Sequence, residues 1–486
     1  MKSVVMIAHG FPPEGHAGVH RPLRFVRTLP QHGWNPIVIT REAEYYERYD
    51  PQLLKLVPAD TEVVRVANRD PWQVLQARRA KDAHARMKSA TVQAESREPK
   101  REGWRLRAMA RMTVEKIESV VYSPDPAMLW IRPATAAAVR ACRSADVRVV
   151  WATGGPWSSM VVARDVSSRT GRPYVLDFRD SWTLTHSAFE QRQPAWVKAR
   201  DRRLLAGLLR DAHGVVFRYR SEGEAYWRVY RGWLDPLKVH FIPNGFEGSI
   251  ALPIEVPEGD RCTLVYTGIV TGYWYEGLLD AIRLFRETDP EAAMRLRVQF
   301  VGEGTDVIGR HAASSGLSDL IEVSGIVPLA EADRLQRTAH ALLLLGWKPD
   351  STRGHELGGS KIFAYLKSGR PIVGVLPEDE NSRILRSVGV DTIAHAGSPV
   401  EIMRLLQYMV RSWMAGKLAA MVPDRHACAV YSSERQTQAL VRALEGLPAE
   451  EPFVPGTCAV PPSLEEWLST VAGLEVFGEP SVGAFN

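Results

Sequence analysis

The chain of 486 residues is 45% hydrophobic and 24% charged, which is typical of a folded globular protein and excludes wholesale disorder and collagen-like repeats. Its formal net charge of +5 is too small to indicate a nucleic-acid-binding protein. The four cysteines are far apart and form no Cys-x-x-Cys pair, which argues against a zinc site and a disulfide framework and favours reduced thiols in a cytoplasm.

The first apolar run shows whether the N-terminus has the pattern of a signal peptide. Val4–Ala8 ends at Gly10 and two prolines, so it is too short for a signal peptide and predicts a first strand. A membrane-spanning helix needs about 18 consecutive apolar residues, and no apolar run in the sequence is that long. We therefore expect any contact with a membrane to be made from its surface.

The first half of the chain alternates short apolar runs with longer amphipathic stretches such as Val19–His32 and Pro156–Thr170. The runs are rich in Val and Ile and are continuous rather than alternating, which is typical of parallel strands buried on both faces. The predicted strands are Val4–Ala8, Ile37–Thr40, Val63–Val66, Val147–Ala152, Tyr174–Phe178, Val215–Phe217 and Val239–Ile242. The stretches between them are long enough for crossover helices.

A basic segment interrupts this rhythm between the third and fourth strands. Residues 78–116 carry twelve Lys or Arg and five Asp or Glu, a net charge of +7. Apolar residues recur at every third or fourth position from Leu106 to Val121, with arginines off that stripe, which predicts a basic amphipathic helix. One interpretation is that residues 78–121 lie on anionic lipid headgroups, and the other is a solvated helical insertion that covers the sheet.

A second series of strands follows the turn Pro243-Asn244-Gly245. These strands are predicted at Thr263–Thr267, Arg297–Val301, Ile321–Ser324, Ala341–Leu345, Ile372–Leu376 and Thr392–Ala394. Helices are predicted at Glu276–Arg286, Ser360–Ser368 and Ser432–Leu444. Two consecutive series predict an α/β protein with two doubly wound, Rossmann-like domains that face each other across a cleft.

Polar loops follow three strands of the first half, at the sheet edge where open α/β proteins bind ligands. The loop His9–Pro22 contains glycines that let backbone N–H groups approach an anion at a helix N-terminus, although its spacing is not that of a nicotinamide or flavin site. In the segment Asp177–Trp182, a carboxylate could accept a proton from a hydroxyl and Arg179 could hold its neighbour ionised. Thr153–Ser159 would lie beside them. The alternative for His9–Pro22 is a Pro/Gly connection that binds no ligand. The alternative for Asp177–Trp182 is a structural Asp–Arg network.

The informative loop of the second half is His355–Lys361. A Gly-Gly-Ser sequence opens a helix whose first turn carries Lys361, so free N–H groups, the helix dipole and an ammonium would form a diphosphate cradle. Glu356 could accept hydrogen bonds from sugar hydroxyls. The alternative is an ordinary helix capped by Ser360.

Five motifs stand in a fixed order along the chain: Gly10–Gly15, Asp177–Trp182, Pro243–Gly245, Val301–Gly304 and Lys361–Pro371. In this order they resemble family 4 glycosyltransferases of the GT-B fold, most of all those of bacterial polysaccharide and lipid-linked glycan assembly. The resemblance implies retaining transfer of a hexose-type sugar from a nucleotide diphosphate donor to a glycan or lipid-linked acceptor, without a cofactor. It also implies a cytoplasmic protein that is peripheral at the inner membrane face. The sequence has no Asp-x-Asp pair for a catalytic metal, which agrees with a metal-independent reaction.

The resemblance also divides the chain into regions. An acceptor domain spans residues 1–245 and contains the basic insertion 73–121, and a nucleotide-sugar donor domain spans residues 246–425. A helix within residues 426–445 crosses back to the first domain, and the Pro-rich residues 446–486 form a loosely attached tail.

The loops and the resemblance together assign candidate site residues. Catalytic roles fall on Asp180, Arg179 and Glu356. Donor binding falls on Gly15, Gly18, Arg21, Gly302, Glu303, Gly358, Gly359, Ser360 and Lys361. The acceptor side is assigned to Asp177, Gly155 and Trp182, and no metal ligand is assigned.

Three positions depart from the pattern of the family. The second of its two glutamates falls on Ala364, its Arg/Lys pair is missing from Thr267–Tyr275, and its catalytic histidine falls near Arg179. In our interpretation the missing positive charge comes from Lys361, Arg21 or Arg24. The aromatic run Tyr273–Tyr275 is a candidate for stacking on a sugar or sealing a lipid acceptor. Two other functions stay open, a nucleotide-sugar 2-epimerase and a non-catalytic nucleotide-sugar-binding subunit.

Overall fold

A computed structural model describes residues 1–43, 46, 48–67, 120–144, 146–184, 193–251, 258–348, 359–460, 465 and 468. The described residues form two compact units, each treated by itself below. Unit 1 holds Met1–Pro243 and Thr437–Val460, and unit 2 holds Asn244–Gln436. Nearly all of the basic insertion lies outside the described residues, as do Glu356 and Gly358.

Unit 1 is built on a seven-stranded parallel sheet in the order β3-β2-β1-β4-β5-β6-β7. The strands are β1 (Lys2–Ile7), β2 (Trp34–Arg41), β3 (Glu62–Val66), β4 (Val147–Gly154), β5 (Tyr174–Phe178), β6 (Gly214–Phe217) and β7 (Val239–Phe241). All seven strands predicted from the first half are therefore present. Val4, Val5, Met6 and Ile7 of β1 are fully buried, as expected for a central strand covered on both faces.

Between these strands the structure describes five α-helices of unit 1. They are α1 (His20–Thr28), α2 (Ile131–Ser144), α3 (Ser158–Thr170), α4 (Ala195–Asp211) and α5 (Arg220–Val229). The single helix expected over residues 19–32 is divided, because Leu29–His32 is a separate 3-10 turn. Pro30 has no N–H to continue the α-helical ladder, and Gly33 ends the turn with a φ of +78°.

Unit 2 repeats the design with six parallel strands in the order β10-β9-β8-β11-β12-β13. The strands are β8 (Cys262–Thr267), β9 (Leu296–Val301), β10 (Ile321–Ser324), β11 (Ala341–Leu345), β12 (Ile372–Leu376) and β13 (Ile393–His395). The helices are α6 (Glu276–Thr288), α7 (Pro290–Met294), α8 (Thr305–Ser314), α9 (Leu329–Thr338), α10 (Lys361–Ser368), α11 (Glu380–Ser387), α12 (Pro399–Met414) and α13 (Arg425–Cys428). The expected α/β class with two Rossmann-like sheets is confirmed.

The last helix, α14 (Ser433–Leu444), belongs mainly to unit 1. Its residues Leu440, Ala443 and Leu444 are buried in one cluster with Val4 and Met6 of β1. Burial of this apolar face explains the return of the chain to the N-terminal sheet, which confirms that expectation.

The segment after α14 is packed on unit 1 up to residue 460, and so differs from a loosely attached tail. Phe453 is buried and meets Phe241 edge-on, with ring centroids 5.4 Å apart. The amide of Gly456 donates to the buried carboxylate of Glu224 at 2.8 Å. Residues 451–456 therefore lie beside β7, the edge strand of the sheet.

The described residues contain no disulfide, and the four cysteines are free thiols. Among the described helices, none is long and apolar enough to cross a membrane. Within the same residues, no group of three or more His, Cys, Asp or Glu side chains is placed to hold a metal ion.

Candidate active site

In both units the strand order changes direction beside the first strand of the sheet. In unit 1 the chain builds outward from β1 to β3 and then returns to place β4 on the other side of β1, and in unit 2 the same change lies between β8 and β11. Ligands of open α/β sheets bind outside the carboxyl ends of the strands at such points. The candidate residues in described loops follow β1, β4 and β5 in unit 1 and β9 and β11 in unit 2.

The loop after β1 is tied down by hydrogen bonds within unit 1. The amide of Gly15 donates to the carbonyl of Arg48 at 2.9 Å, so this N–H already has a partner, unlike the free donor that the sequence suggested. The guanidinium of Arg65 donates to the carbonyl of Pro12 at 2.6 Å. Gly18 lies against Arg179, because a β-carbon at Gly18 would be 1.6 Å from Arg179 Nη1. Only glycine fits there without moving Arg179.

Arg21 and Asp177 bind each other. Arg21 Nε lies 2.8 Å from Asp177 Oδ2 and Nη2 lies 2.6 Å from Oδ1, and both side chains are buried. Arg21 Nη1 also donates to the carbonyl of Pro243 at 3.1 Å. The sequence assigned Arg21 to donor binding and Asp177 to the acceptor side. In the structure each is instead the partner of the other, inside unit 1. They connect α1, β5 and the end of β7.

Arg179 joins the loops after β1, β4 and β5. Its guanidinium donates to the carbonyl of Gly155, and its Nε lies 3.4 Å from Asp180 Oδ2. The Arg179 side chain is 18% exposed and that of Asp180 is 59% exposed. Gly155, Arg179 and Asp180 therefore lie together, and Gly18, which the sequence assigned to donor binding, lies against Arg179 as well.

Trp182 is not available to a ligand, because it is only 1% exposed. Its amide donates to Tyr226 Oη at 2.5 Å, and the Tyr226 hydroxyl donates back to the carbonyl of Trp182 at 2.7 Å. Its indole stacks on that of Trp157, with centroids 5.4 Å apart and planes 3° apart. The prediction that Trp182 contacts the acceptor is therefore wrong. Its side chain packs against one face of the Trp157 indole.

The N-terminus of α3 is occupied by Asp125. Its carboxylate accepts from the amide of Ser158 and from the Ser158 hydroxyl, both at 2.8 Å, and from the amide of Ala127. Burial raises the pKa of Asp125, while these hydrogen bonds act in the opposite direction. This helix end, which the sequence placed beside Asp180, already holds a carboxyl group.

His9 follows β1 and is buried beneath the same loops. Its ring meets Trp130 edge-on at 5.0 Å, and its Nε2 has no hydrogen-bond partner among the described residues. Burial, with help from the positive charges of Arg41 and Arg179, holds the pKa of His9 well below its usual value of 6.5. His9 is therefore neutral at pH 7.

In unit 2 three glycines shape the loops after β8 and β9. Gly268, Gly302 and Gly304 have φ values of +121°, +139° and +78°. A β-carbon on Gly302 would lie 2.2 Å from the carbonyl oxygen of Gly268, so the two backbones touch. The side chain of Glu303 is exposed, and its carbonyl accepts from the amide of Val270 at 3.1 Å.

Lys361 opens α10 and places its ammonium beside this backbone. Nζ lies 3.5 Å from the ring centroid of Tyr266 and 4.7 Å from that of Tyr273. It is also 3.1 Å from the position that a β-carbon on Gly268 would occupy. Nζ is buried without a hydrogen-bond partner among the described residues, and burial lowers the pKa of Lys361 well below 10.5.

The N-terminus of α10 is not capped by the side chain of Ser360, contrary to the alternative interpretation. The preceding amide of Gly359 donates to Asn381 Oδ1 at 3.2 Å, which ties this loop to the start of α11. Ala364, three residues into α10 from Lys361, is exposed.

The aromatic run after β8 is packed on unit 2 itself. Tyr273 stacks on Trp347 with centroids 4.1 Å apart, Trp274 meets His395 edge-on, and Tyr275 contacts His311 in the same way. All three rings of the run are partly buried against the core. Their contacts anchor the loop on unit 2, and the stacking or sealing role suggested for this run stays a prediction.

Sequence reasoning missed three residues that the structure adds to these sites. Tyr266 lies within a predicted strand and was not considered as a site residue. It is the penultimate residue of β8 and so lies at the carboxyl end of that strand. Asn381 stands within the capping box that Asp379 and Ser382 form at the start of α11, a pattern that the sequence displays. Trp157 was present in a motif but was not distinguished from Trp182.

Comparison with solved structures places this architecture among known folds. The lipopolysaccharide outer core galactosyltransferase WaaB, in its apo form, matches with a TM-score of 0.51 and 10% identity, over 92% of this chain and 99% of that chain. A Staphylococcus aureus TarM mutant in complex with Fondaparinux, alpha-GlcNAc-glycerol and UDP gives 0.53 and 8%, over 91% and 100%. A Listeria monocytogenes protein assigned as a UDP-N-acetylglucosamine 2-epimerase gives 0.51 and 9%, over 93% and 100%.

The fold is GT-B. At 8–10% identity the likeness concerns the GT-B fold alone. No family model and no curated protein matches the sequence.

Proposed function

We propose that this protein is a retaining, metal-independent glycosyltransferase that uses a nucleotide diphosphate sugar. Its GT-B fold supports this proposal, because WaaB is a galactosyltransferase and the TarM structure contains UDP. The order of motifs along the chain supports it as well. We propose a hexose-type donor sugar and a glycan or lipid-linked acceptor.

The observation that carries the proposal is the environment of Lys361. An amine that is buried between tyrosine rings, without a hydrogen-bond partner among the described residues, is costly to hold in its charged form. An anion bound beside it would restore that charge. The adjoining residues Gly268 and Gly302 have no side chains of their own, and the N-terminus of α10 contributes N–H groups and a favourable dipole. A diphosphate has the charge and the number of acceptor oxygens for this surface.

Lys361 also accounts for the departure of the loop after β8 from the family pattern. That loop has no Arg or Lys between Thr267 and Tyr275. Nζ of Lys361 nevertheless reaches the loop at Gly268, from the neighbouring helix. In this proposal one ammonium, delivered by α10, replaces the missing pair and stabilises the leaving diphosphate.

The transfer step follows from these assignments. The bond from the anomeric carbon to the diphosphate oxygen breaks, and the acceptor oxygen forms its bond on the same face of the sugar. The acceptor proton passes to an oxygen of the leaving phosphate. Asp180, exposed and held by Arg179, orients the acceptor hydroxyl. Glu356, by resemblance, contacts the donor sugar.

We place the reaction in the cytoplasm, at the inner membrane face. The resemblance to lipid-linked glycan assembly supports this location, and so does the excess of Lys and Arg in residues 78–121. Co-sedimentation with vesicles that contain 30% phosphatidylglycerol, compared with vesicles of phosphatidylcholine, tests it. Equal recovery of the protein with both vesicles would contradict this part of the proposal.

Two alternatives have specific support. The likeness to the Listeria protein favours a nucleotide-sugar 2-epimerase. The exposed Ala364, which stands where the family has a glutamate, favours a non-catalytic binding subunit.

A binding and turnover experiment separates the three functions. Thermal shift with UDP, GDP and ADP identifies the base, and the wild type is compared with Lys361→Met and Lys367→Met. Lys367 is exposed on the same helix and serves as the control. The proposal predicts that only Lys361→Met loses binding, and that the matching nucleotide sugar is consumed with retained anomeric configuration in the presence of EDTA. Free epimerised sugar nucleotide would support the epimerase, and binding without turnover would support the subunit.

A further inference from the structure

The ammonium of Lys361 is enclosed from three sides. The ring centroid of Tyr266 lies 3.5 Å from Nζ and that of Tyr273 lies 4.7 Å from it. The backbone of Gly268 closes the third side, where a β-carbon would be 3.1 Å from Nζ. Because Nζ is buried in this way, an anion can bind it directly only after one of these groups has moved.

The two rings differ in how firmly they are held. Tyr266 is fully buried in β8, and its hydroxyl donates to the carbonyl of Ile269 at 2.5 Å. Tyr273 is half-buried in the loop that follows β8 and meets the Tyr266 ring edge-on, with centroids 6.1 Å apart and planes 73° apart. Tyr273 is therefore the ring that can leave Lys361 without disturbing the core of unit 2.

The backbone around Tyr273 is tied to the segment after β11. The amide of Trp274 donates to the carbonyl of Gly346 at 2.8 Å, and Tyr273 forms an antiparallel bridge with Trp347. Displacement of the Tyr273 ring therefore means rotation of its side chain to another rotamer, with the loop itself staying in place.

Two contacts define the position that the Tyr273 ring occupies. The ring stacks on that of Trp347, with centroids 4.1 Å apart and planes 25° apart. Its hydroxyl reaches the start of α10, where a β-carbon on Gly359 would lie 3.8 Å from Tyr273 Oη. The same side chain thus lies beside the ammonium of Lys361 and beside the N-terminus of the helix that carries it.

We propose that Tyr273 is a gate on this anion site. Its ring covers Lys361 when no anion is bound, and it rotates off Trp347 to admit a diphosphate. Aromatic stacking favours the closed position, and an anion that binds only the open position has its affinity reduced by the fraction of molecules that are open. The gate selects against small anions, whose few contacts do not offset the lost stack. The identity of the anion rests on the proposed function, whereas the covering of Lys361 does not.

Amine labelling of the whole chain tests the gate. The folded protein is treated with sulfosuccinimidyl acetate, and the acetylation rate of each lysine is read by mass spectrometry of its peptides. Lys367, exposed on the same helix, is the internal reference. We expect Lys361 of the wild type to react about tenfold more slowly than Lys367, and Tyr273→Ala to raise the rate of Lys361 about tenfold. Tyr273→Phe keeps the ring and should label as the wild type does.

Tyr275→Ala is the matched control. Tyr275 belongs to the same loop and is also partly buried against the core, but its ring packs on His311 and Lys348. A general loosening of the loop would expose Lys361 in this variant too, whereas the gate predicts labelling at the wild-type rate.

Trp347→Leu keeps the test decisive if Tyr273→Ala does not fold. It removes the stack that holds the ring closed and should raise the labelling rate of Lys361 about threefold. The inference is overturned if Lys361 of the wild type reacts as fast as Lys367. It is also overturned if Tyr273→Ala and Trp347→Leu label Lys361 at the wild-type rate, or if Tyr275→Ala labels it as fast as Tyr273→Ala does.

Titration calorimetry with UDP, GDP and ADP separates the gate from the proposed function. Tyr273→Ala should bind the nucleotide that the wild type binds about fivefold more tightly, because no stack is broken on opening. Weaker binding by this variant would show that the ring contacts the nucleotide and would overturn the gate. If labelling follows the gate and none of the three nucleotides binds to either protein, the gate stands and the proposed function fails.

Discussion

Arg21 of α1 and Asp177 of β5 form a two-point ion pair in the interior of unit 1, with 2% and 0% of their side chains exposed. Both oxygens of the carboxylate are used, at 2.8 and 2.6 Å. A buried pair of this geometry contributes little net stability by comparison with apolar residues, but loss of one partner leaves an uncompensated charge.

Asp177→Asn should therefore destabilise unit 1 by about 3–5 kcal/mol. The neutral amide cannot balance Arg21, whose charge stays buried. Urea unfolding followed by circular dichroism measures the change. Asp146→Asn is the control, because Asp146 is 56% exposed and pairs with Arg148 on the surface, where the loss should be below about 1 kcal/mol. Equal midpoints for the two variants would contradict the structural role of the pair.

Lys361→Met should raise the thermal stability of the protein at pH 7 while nucleotide binding is lost. Methionine removes a buried amine that lacks a hydrogen-bond partner among the described residues, at a gain of about 1–3 kcal/mol. The lost contact with Tyr266 offsets part of that gain. Differential scanning calorimetry without ligand gives the result, with Lys367→Met expected to match the wild type. A lower Tm for Lys361→Met would show that the ammonium is satisfied in the free protein.

Binding of UDP should weaken as pH rises toward 10.5, the ordinary pKa of a lysine. Burial lowers the pKa of Lys361 in the free protein, and a bound diphosphate raises it again, so binding takes up a proton between those two pKa values. Affinity can fall by at most about tenfold per pH unit in this window. Calorimetry in Tris and in HEPES measures the proton uptake. Lys361→Arg keeps its charge throughout and should bind UDP with little dependence on pH.

Gly302→Ala should disrupt the contact between the loops after β8 and β9. The new β-carbon would lie 2.2 Å from the carbonyl of Gly268, at a φ of +139° that alanine rarely adopts. We expect a loss of about 2 kcal/mol or more in stability, together with weaker UDP binding. Gly325→Ala is the matched control, because its β-carbon would have no neighbour within 4 Å. Near-equal unfolding midpoints for the two variants would be the contrary result.

The strands were predictable because both sheets are parallel and covered on both faces, which produces continuous apolar runs such as Ala341–Leu345. The positions of the loops followed from this topology. Their internal contacts did not, since they depend on residues far apart in the chain. Nothing local indicates that Gly15 donates to Arg48, or that the indole of Trp182 lies behind that of Trp157. The motif around Lys361 showed a charge at a helix start, but not the tyrosine rings around it.

The carboxylate of Asp125 makes the two Rossmann-like units unequal. At the amino end of α3 it already takes the hydrogen bonds of Ser158 that a nucleotide phosphate would need, and a phosphate could bind there only by displacing it. At the amino end of α10, the side chain of Ser360 makes no such bond. In the proposed function the start of α10 is the one that takes an exchangeable anion, whereas a carboxyl group of the chain itself occupies the start of α3.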